Sequence, residues 1–257
     1  MLARHSDRPS GLTSNLLKAW GYLFLLMGIA GQSIIQNKIL GLGSMTTGQL
    51  LEAMNADPNL MMFATLALVC QAVSTCAAPI FAFLVVEGFR HTSDLKKYLT
   101  RVAIMALVSE IPYNLAMSGR LIDLSSRNPA LGLVLAMLVL VLFRQYPGKQ
   151  VKNLLIKFVV VVAAIVWAKM LGIVDANCMV ILTITFWGMQ NRPNFRSMAA
   201  CAAAGMCSMF SLFYIAAPMS VFAVHAYNGE KGNENRVFNY CAYPAALLIC
   251  GIAVLFL

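Results

Sequence analysis

The chain of 257 residues is 60% hydrophobic and only 11% charged, with a mean hydropathy of +0.75. A soluble domain of this length does not need so much apolar material, so the composition indicates an integral membrane protein. The formal charge of +9 is spread over short segments between apolar runs rather than gathered on one face. This spread argues against a nucleic acid partner and is typical of membrane topology signals.

The apolar runs along the chain are long enough for α-helices to cross a bilayer, which takes roughly 17 to 25 residues each. They predict an all-α, polytopic transmembrane helical bundle of about nine spans, with eight to ten as the range. The eighth run is short, so it either re-enters the membrane or continues its neighbour. The predicted spans are residues 19–36, 62–87, 98–117, 130–146, 153–170, 174–189, 198–213, 216–227 and 239–257.

The charge pattern predicts a basic cytoplasmic tail at residues 1–18, followed by a single transmembrane domain at residues 19–257. Lys and Arg residues are retained in the cytoplasm, so their distribution tests the order of the spans. With the N-terminus placed in the cytoplasm, most of the 19 Lys and Arg residues fall on that side. The residues left on the other side are Lys38, Arg120, Arg127 and Lys169.

Acidic side chains within the spans are the first candidates for chemistry, because a charge at the centre of a span costs about 2.5 to 3.5 kcal/mol. Glu87 ends the second span, where it either pairs with basic neighbours at the interface or takes part in a site. Glu110 lies deep in the third span, roughly 20 Å along the helix from its cytoplasmic end, which favours a functional or buried-network role. Asp175 lies at the edge of the sixth span, where we expect it to be solvated.

Pro112 follows Glu110 closely and predicts a kink in the third span, because proline cannot donate the helical hydrogen bond. Asn114 is four residues after Glu110 and therefore lies on the same helix face. This pair could bind a polar ligand, or it could bond to the helix that begins near Asn128. The sequence leaves both possibilities open.

The segment between the second and third spans is rich in basic residues, namely Arg90, His91, Lys96, Lys97 and Arg101. Within it, Asp94 is predicted to be the N-cap of the following helix. The basic side chains either serve only to retain the segment in the cytoplasm or hold the phosphate groups of a ligand such as acyl-coenzyme A.

The seven cysteines all lie in apolar runs without the spacing of metal ligands. We therefore expect small core residues, no disulfide framework and no bound metal.

The run PIFAFLVVEGFRHTSDLKKYLTRVAIMALVSEIPYNLAMSG, residues 79–119, resembles the core motif of the TraX family. Members of that family read approximately P-I-F-A-F-L, E-G-F, H-T, K-K-Y-L-x-R and S-E-I-P-F-N-L. Weaker similarity extends through RNPALGLVLAML and YNGEKGNENRVFNYCAYP. The resemblance implies a multi-pass protein of the bacterial cytoplasmic (inner) membrane, named for conjugal transfer (conjugation) and associated with N-terminal acetylation of pilin.

The family is also similar to membrane acyltransferases that use cytoplasmic acyl-coenzyme A, which implies acetyl-CoA as the co-substrate here. The implied phosphate-binding residues are Arg90, Lys96, Lys97 and Arg101. The implied catalytic residues are Glu110, His91 and Glu87, with Asn114 and Asn128 as substrate-binding residues.

Two departures from the family pattern weaken the step from family to activity. Family members commonly carry an Asp-His pair in the first span, where this chain has Ala30 and Gly31. They often carry a histidine shortly after the last Tyr-Pro, where this chain has Ala246.

Three functions are therefore open. The first is an acetyltransferase that acts on an amine or hydroxyl acceptor. The second is a non-catalytic membrane partner or assembly protein, which would bind another membrane protein. The third is a small-solute transporter, suggested by a kinked span with a buried acid.

Overall fold

All regular elements in the described part of the chain are helices. The computed structural model describes residues 11–41, 47–148, 150–232 and 236–256. Its helices are α1 (Ser14–Ala30), which continues as a π-helix (Gly31–Ile39), α2 (Thr47–Ala56), α3 (Pro58–Ser74), α4 (Ala77–His91), α5 (Leu95–Val108), α6 (Glu110–Ser118), α7 (Ala130–Gln145), α8 (Val151–Met170), α9 (Ala176–Gly188), α10 (Pro193–Met206), α11 (Pro218–His225) and α12 (Arg236–Phe256). Short 3₁₀ turns cover Cys207–Met209 and Leu212–Ala216. The predicted all-α class is confirmed.

Several helical segments are apolar enough for a membrane environment. Four are also long enough to cross it, namely Ser14–Ile39, Pro58–His91, Val151–Met170 and Asn239–Phe256. Shorter apolar segments are Ala130–Gln145, Ala176–Gly188 and Leu212–His225. These helices fit a membrane protein, while nine spans and a cytoplasmic N-terminus stay predictions.

The first helical segment runs antiparallel to α3 and α4 at very close range. A Cβ atom on Gly28 would lie 2.3 Å from the Cβ of Ser74, and one on Gly31 would lie 2.7 Å from the Cβ of Cys70. Helices associate in membranes largely through such small residues, because they allow the backbones to approach. Glycine at these two positions therefore allows the first helical segment to pack closely against α3.

The centre of the bundle is built on α4 and α9, which pack against each other. Phe83 of α4 meets Phe186 of α9 with ring centroids 5.5 Å apart, and Phe89 meets Trp187 at 5.3 Å. Both pairs are edge-to-face, an arrangement that aromatic rings prefer. The later residue of α4, Phe89, meets the later residue of α9, Trp187. The two helices therefore run in the same direction and end at the same side of the bundle.

Contacts between loops define two ends of the bundle. At the basic end, formed by residues 88–94, 189–192 and 226–232, Leu12 pairs with Tyr227 through the backbone. At the opposite end, formed by residues 119–129 and 171–175, Arg127 pairs with Ile173. This grouping agrees with the alternation of loops that the charge pattern predicts.

The third predicted span is divided into α5 and α6 at Ser109. The Ser109 hydroxyl donates to the Met105 carbonyl at 2.7 Å, and Pro112 lacks the N–H that would bond back into α5. The predicted kink is confirmed as a break in the helix.

Several predicted boundaries differ from the structure. The predicted second span, residues 62–87, is divided into α3 and α4 after Ser74. Helix α1 begins at Ser14, so the last part of the predicted tail is helical, and residues 1–10 lie outside the described residues. Helix α10 ends at Met206 rather than at residue 213, because the Ser208 hydroxyl bonds to the Gly205 carbonyl and Ser211 is extended. The short eighth segment is a 3₁₀ turn followed by α11, which has only 8 residues.

Candidate functional site

Glu87 and His91 form a contact in the last turn of α4. The Nε2 atom of His91 lies 3.0 Å from Oε1 of Glu87, and Nη1 of Arg90 lies 3.7 Å from Oε2 of the same carboxylate. The Glu87 side chain is 17% exposed, whereas that of His91 is 58% exposed. The spacing of four residues places both on one helix face. The Glu87 carboxylate is thus largely buried, and it contacts a histidine that solvent can reach.

This contact suits proton transfer. A histidine that donates from Nε2 to a carboxylate is held in the tautomer whose Nδ1 carries a free lone pair. That lone pair can accept a proton, while the carboxylate orients the ring and stabilises the positive charge that forms. The predicted residues Glu87 and His91 therefore have the geometry of an oriented general base.

Two residues that the sequence reasoning missed complete the surroundings of Glu87. The Tyr227 side chain interacts with the Glu87 carboxylate, and the Arg196 guanidinium lies 5.0 Å from the centroid of the Phe83 ring. The Nε of Arg196 is buried and has no hydrogen-bond partner among the described residues. Both lie more than 100 residues from Glu87 in the sequence, so no local pattern could have identified them.

A shallow basic cavity of about 400 Å³ lies at the start of α5. Its lining residues are Asp94, Lys96, Lys97, Thr100 and Arg101. The predicted N-cap is confirmed, because Asp94 accepts the Lys97 backbone N–H at 3.0 Å. The same carboxylate pairs with the Lys97 ammonium at 3.1 Å. These hydrogen bonds from Lys97 hold the pKa of Asp94 below its ordinary value.

Arg90 lies apart from the other predicted phosphate-binding residues. It lines a second cavity of about 280 Å³ together with Phe89, Arg144, Trp187 and Gln190. The reason is geometric, since α4 ends at His91 and the chain turns before α5 begins. The predicted phosphate site is therefore divided between two cavities at the basic end.

Glu110 belongs to a different group of residues near the opposite end. Its Oε1 lies 3.7 Å from Nη1 of Arg127, and its Oε2 accepts the Asn128 backbone N–H at 3.3 Å. The structure does not bring Glu110 to Glu87 or His91. Of the two possibilities that the sequence left open, the bond between Glu110 and the chain at Asn128 is present.

The side chain of Asn128 is buried and makes three hydrogen bonds. Its Nδ2 donates to the Ala106 carbonyl at 2.8 Å, and its Oδ1 accepts from the Ala130 N–H and the Tyr243 hydroxyl, each at 2.8 Å. An asparagine amide has two donors and an acceptor oxygen with two lone pairs. A substrate could therefore use only the one N–H that remains.

Asn114 lies on the same face of α6 as Glu110 and is also buried. Within the described part of the chain, neither Oδ1 of Asn114 nor Oε1 of Glu110 has a hydrogen-bond donor. Two unsatisfied acceptors in an apolar setting are costly. They identify α6 as a place where a donor group from outside the described residues would be stabilised.

The position of the family's Asp-His pair is closely packed in this chain. Ala30 ends α1 and Gly31 begins the π-helix. A Cβ at Gly31 would already collide with Cys70, so a histidine there would require α3 to move. π-Helical turns are rare in proteins overall, and those that occur are often found at functional sites.

Among the described residues, no group of three His, Cys, Asp or Glu side chains could hold a metal ion. The absence of a metal stays a prediction from the sequence.

Long apolar helices packed around a shared centre define this molecule as a helical membrane-type protein. A family model described as TraX protein matches residues 38–254, which is most of the chain. The chain therefore belongs to the TraX family, and the resemblance seen in residues 79–119 is confirmed. No curated protein and no solved structure matches it.

Proposed function

We propose that this TraX-family protein is a membrane acetyltransferase that moves an acetyl group from cytoplasmic acetyl-CoA to an amine or hydroxyl acceptor. The observation that carries the proposal is the contact between His91 Nε2 and Glu87 Oε1 at 3.0 Å, and the basic cavity at the start of α5 lies at the same end of the bundle. The bacterial cytoplasmic membrane is its proposed location.

His91 is the general base in this proposal. The acceptor nitrogen or oxygen attacks the thioester carbonyl carbon, its proton passes to Nδ1 of His91, and the carbon–sulfur bond breaks to release the coenzyme A thiolate. Glu87 keeps the imidazole in the required tautomer throughout. Tyr227 and Arg196 in turn surround the Glu87 carboxylate and the helix face beneath it.

The basic cavity supplies the electrostatic part of co-substrate binding. Lys96, Lys97 and Arg101 line it with three positive charges, of which Lys97 is partly neutralised by Asp94. Phosphate groups form their strongest hydrogen bonds with such cationic donors. A cavity of about 400 Å³ falls within the range of small-ligand sites, roughly 300 to 1,000 Å³.

Glu110 and Asn114 are assigned to the acceptor side. Oδ1 of Asn114 has no hydrogen-bond donor among the described residues, so it suits a donor group on a part of the acceptor remote from the amine or hydroxyl that reacts at His91. Glu110, whose Oε1 pairs with Arg127, lies on the same face of α6. Asn128 supports the same region through its contacts with Ala106 and Tyr243.

The test is acetyl-CoA-dependent release of free coenzyme A thiol by the purified protein in lipid nanodiscs, with membrane extract as the acceptor source. Removing a general base typically lowers the rate by about 10² to 10⁴-fold, so His91→Gln should do so, and Glu87→Gln should lower it less. His225→Gln is the matched control, since His225 bonds to Ser197 instead. Absence of thiol release by the wild type, or an unchanged rate in His91→Gln, would refute the proposal.

A second function is favoured by the packing at Gly31. The structure leaves no space there for the family's histidine, which suits a non-catalytic protein that binds another membrane protein. Stoichiometric recovery of one membrane protein with the tagged chain, together with no thiol release, would support this function over the first.

A further inference from the structure

The second cavity at the basic end lies where three helices finish together. Phe89 and Arg90 come from the last turn of α4, Arg144 from the last turn of α7, and Trp187 and Gln190 from the end of α9 and the turn after it. The rings of Phe89 and Trp187 are in edge-to-face contact at 5.3 Å. The cavity thus has a firm aromatic wall and charged groups on helices that meet only in the folded protein.

The lining contains two guanidinium groups and no carboxylate. In the described part of the chain, Arg90 forms one ion pair, the 3.7 Å contact with Glu87, a carboxylate that His91 also contacts. No ion pair among the described residues includes Arg144. Two like charges on the walls of one cavity repel each other, so an anion between Arg90 and Arg144 would stabilise both.

Simpler reasons for these arginines explain less. A basic residue near a helix C-terminus offsets the helix dipole, and arginine at a cytoplasmic end is expected from membrane topology. Either reason accounts for one arginine on one helix. Neither accounts for two arginines from different helices on the walls of one cavity, next to a half-buried tryptophan and a glutamine whose buried Oε1 has no hydrogen-bond partner among the described residues.

We infer that this cavity binds a phosphate ester, with the phosphate oxygens between Arg90 and Arg144 and the attached organic group against Trp187. Guanidinium groups bind phosphate through two parallel hydrogen bonds, and they also stack well with planar groups. The volume of about 280 Å³ is at the lower limit of ligand sites, roughly 300 Å³. It therefore has room for a phosphate and part of the group attached to it, while the rest of a larger ligand would extend out of the open cavity.

Two molecules carry this chemistry at such a position. One is the nucleotide half of an acyl-coenzyme A, and this source rests on the proposed function. The other is the headgroup of an anionic phospholipid, which needs no enzymatic activity. The phosphate site is common to both.

The experiment uses Trp187 as the reporter, in a chain carrying Trp20→Phe and Trp167→Phe so that no other tryptophan remains. Adenosine 3′,5′-bisphosphate, which has no acyl group to transfer, is titrated into this protein in phosphatidylcholine nanodiscs. A second series replaces part of the lipid with phosphatidylglycerol. Arg144→Gln should weaken the response by about tenfold or more, as expected for a charge-assisted contact. Arg192→Gln is the matched control, because this exposed arginine lines neither cavity.

Each result decides the inference. A response to the bisphosphate that Arg144→Gln weakens supports the site with a nucleotide as its ligand. A response to phosphatidylglycerol alone, again dependent on Arg144, supports it with a lipid. No response to either probe, or equal responses in Arg144→Gln and Arg192→Gln, overturns it. Arg144→Lys, which keeps the charge, should be intermediate and guards against a folding defect in Arg144→Gln.

The proposed function stands or falls separately. Binding without thiol release would refute the acetyltransferase and keep the site. Thiol release that Arg144→Gln leaves unchanged, with no response from Trp187, would keep the acetyltransferase and refute the site.

Discussion

Replacing Asn128 with alanine should destabilise the fold more than any change of similar size on the surface of the bundle. The Asn128 side chain is fully buried. Its hydrogen bonds join Ala106 of α5, Ala130 of α7 and Tyr243 of α12. Alanine removes these bonds together and leaves the Ala106 carbonyl, the Ala130 N–H and the Tyr243 hydroxyl without their partner.

The magnitude follows from the number of bonds lost. Interhelical side-chain hydrogen bonds in membrane proteins average about 0.6 kcal/mol each, so three of them give a lower value of about 2 kcal/mol. Values from soluble proteins, up to about 1.5 kcal/mol each, give an upper value of about 4.5 kcal/mol. For a protein of about 250 residues, each kcal/mol lowers the melting temperature by about 2 to 4 °C. Asn128→Ala should therefore lower it by about 4 to 18 °C.

The assay is thermal unfolding of the purified protein in nanodiscs, followed by tryptophan fluorescence. Tyr243→Phe, which removes one of the three bonds, should cost about 0.6 to 1.5 kcal/mol. The double variant with Asn128→Ala should cost less than the sum, since both changes remove the same bond. A loss below about 0.5 kcal/mol for Asn128→Ala, near the noise of surface substitutions, would refute this reasoning and favour a ligand-binding role for the amide.

Two further predictions concern backbone packing and capping. Gly31→Ala should destabilise the protein by about 1 to 3 kcal/mol, as overpacking typically does, because its Cβ would meet that of Cys70 at 2.7 Å. Gly205→Ala is the control and should not destabilise the protein, because the space around Gly205 is open. Equal melting temperatures for the two variants would contradict this prediction. The pKa of Asp94 is lowered by its hydrogen bonds with Lys97, so the cap is fully formed above the ordinary carboxyl range, about pH 4, and is lost as the pH falls through the folded value. The amide exchange protection of Lys97 should therefore decrease on acidification in the wild type and stay level in Asp94→Asn, and a level profile in both would count against the cap.

Features that depend on neighbouring residues were predictable from the sequence. Asp94 was identified as an N-cap because it directly precedes a helical run, and Pro112 marked the break near Ser109 because proline lacks an N–H. Membership of the TraX family was predictable because its motif lies in one continuous stretch of about forty residues, residues 79–119. Each of these signals is contained within a few turns of one chain segment.

Features that depend on tertiary packing were not predictable. Arg127 was read as a topology residue, yet it meets Glu110, which is 17 residues earlier. Arg196 and Tyr227 reach Glu87 only because α10 and the chain after α11 return to the end of α4. Arg90 and Lys96 are close in the sequence but line different cavities. Residues far apart in the sequence are therefore neighbours in the structure, and residues close in the sequence line separate cavities.

The lengths of the helices have a consequence for the surrounding lipid. Helix α9, at the centre, has 13 residues and is about 20 Å long, whereas α8, at the periphery, has 20 residues and at about 30 Å matches the hydrocarbon thickness. Helix α9 is thus about 10 Å shorter than the hydrocarbon thickness, so the segments joined to it are drawn toward the level of the lipid tails. Arg127 satisfies one of them by backbone bonds to Gly172 and Val174, as irregular chain at that depth requires.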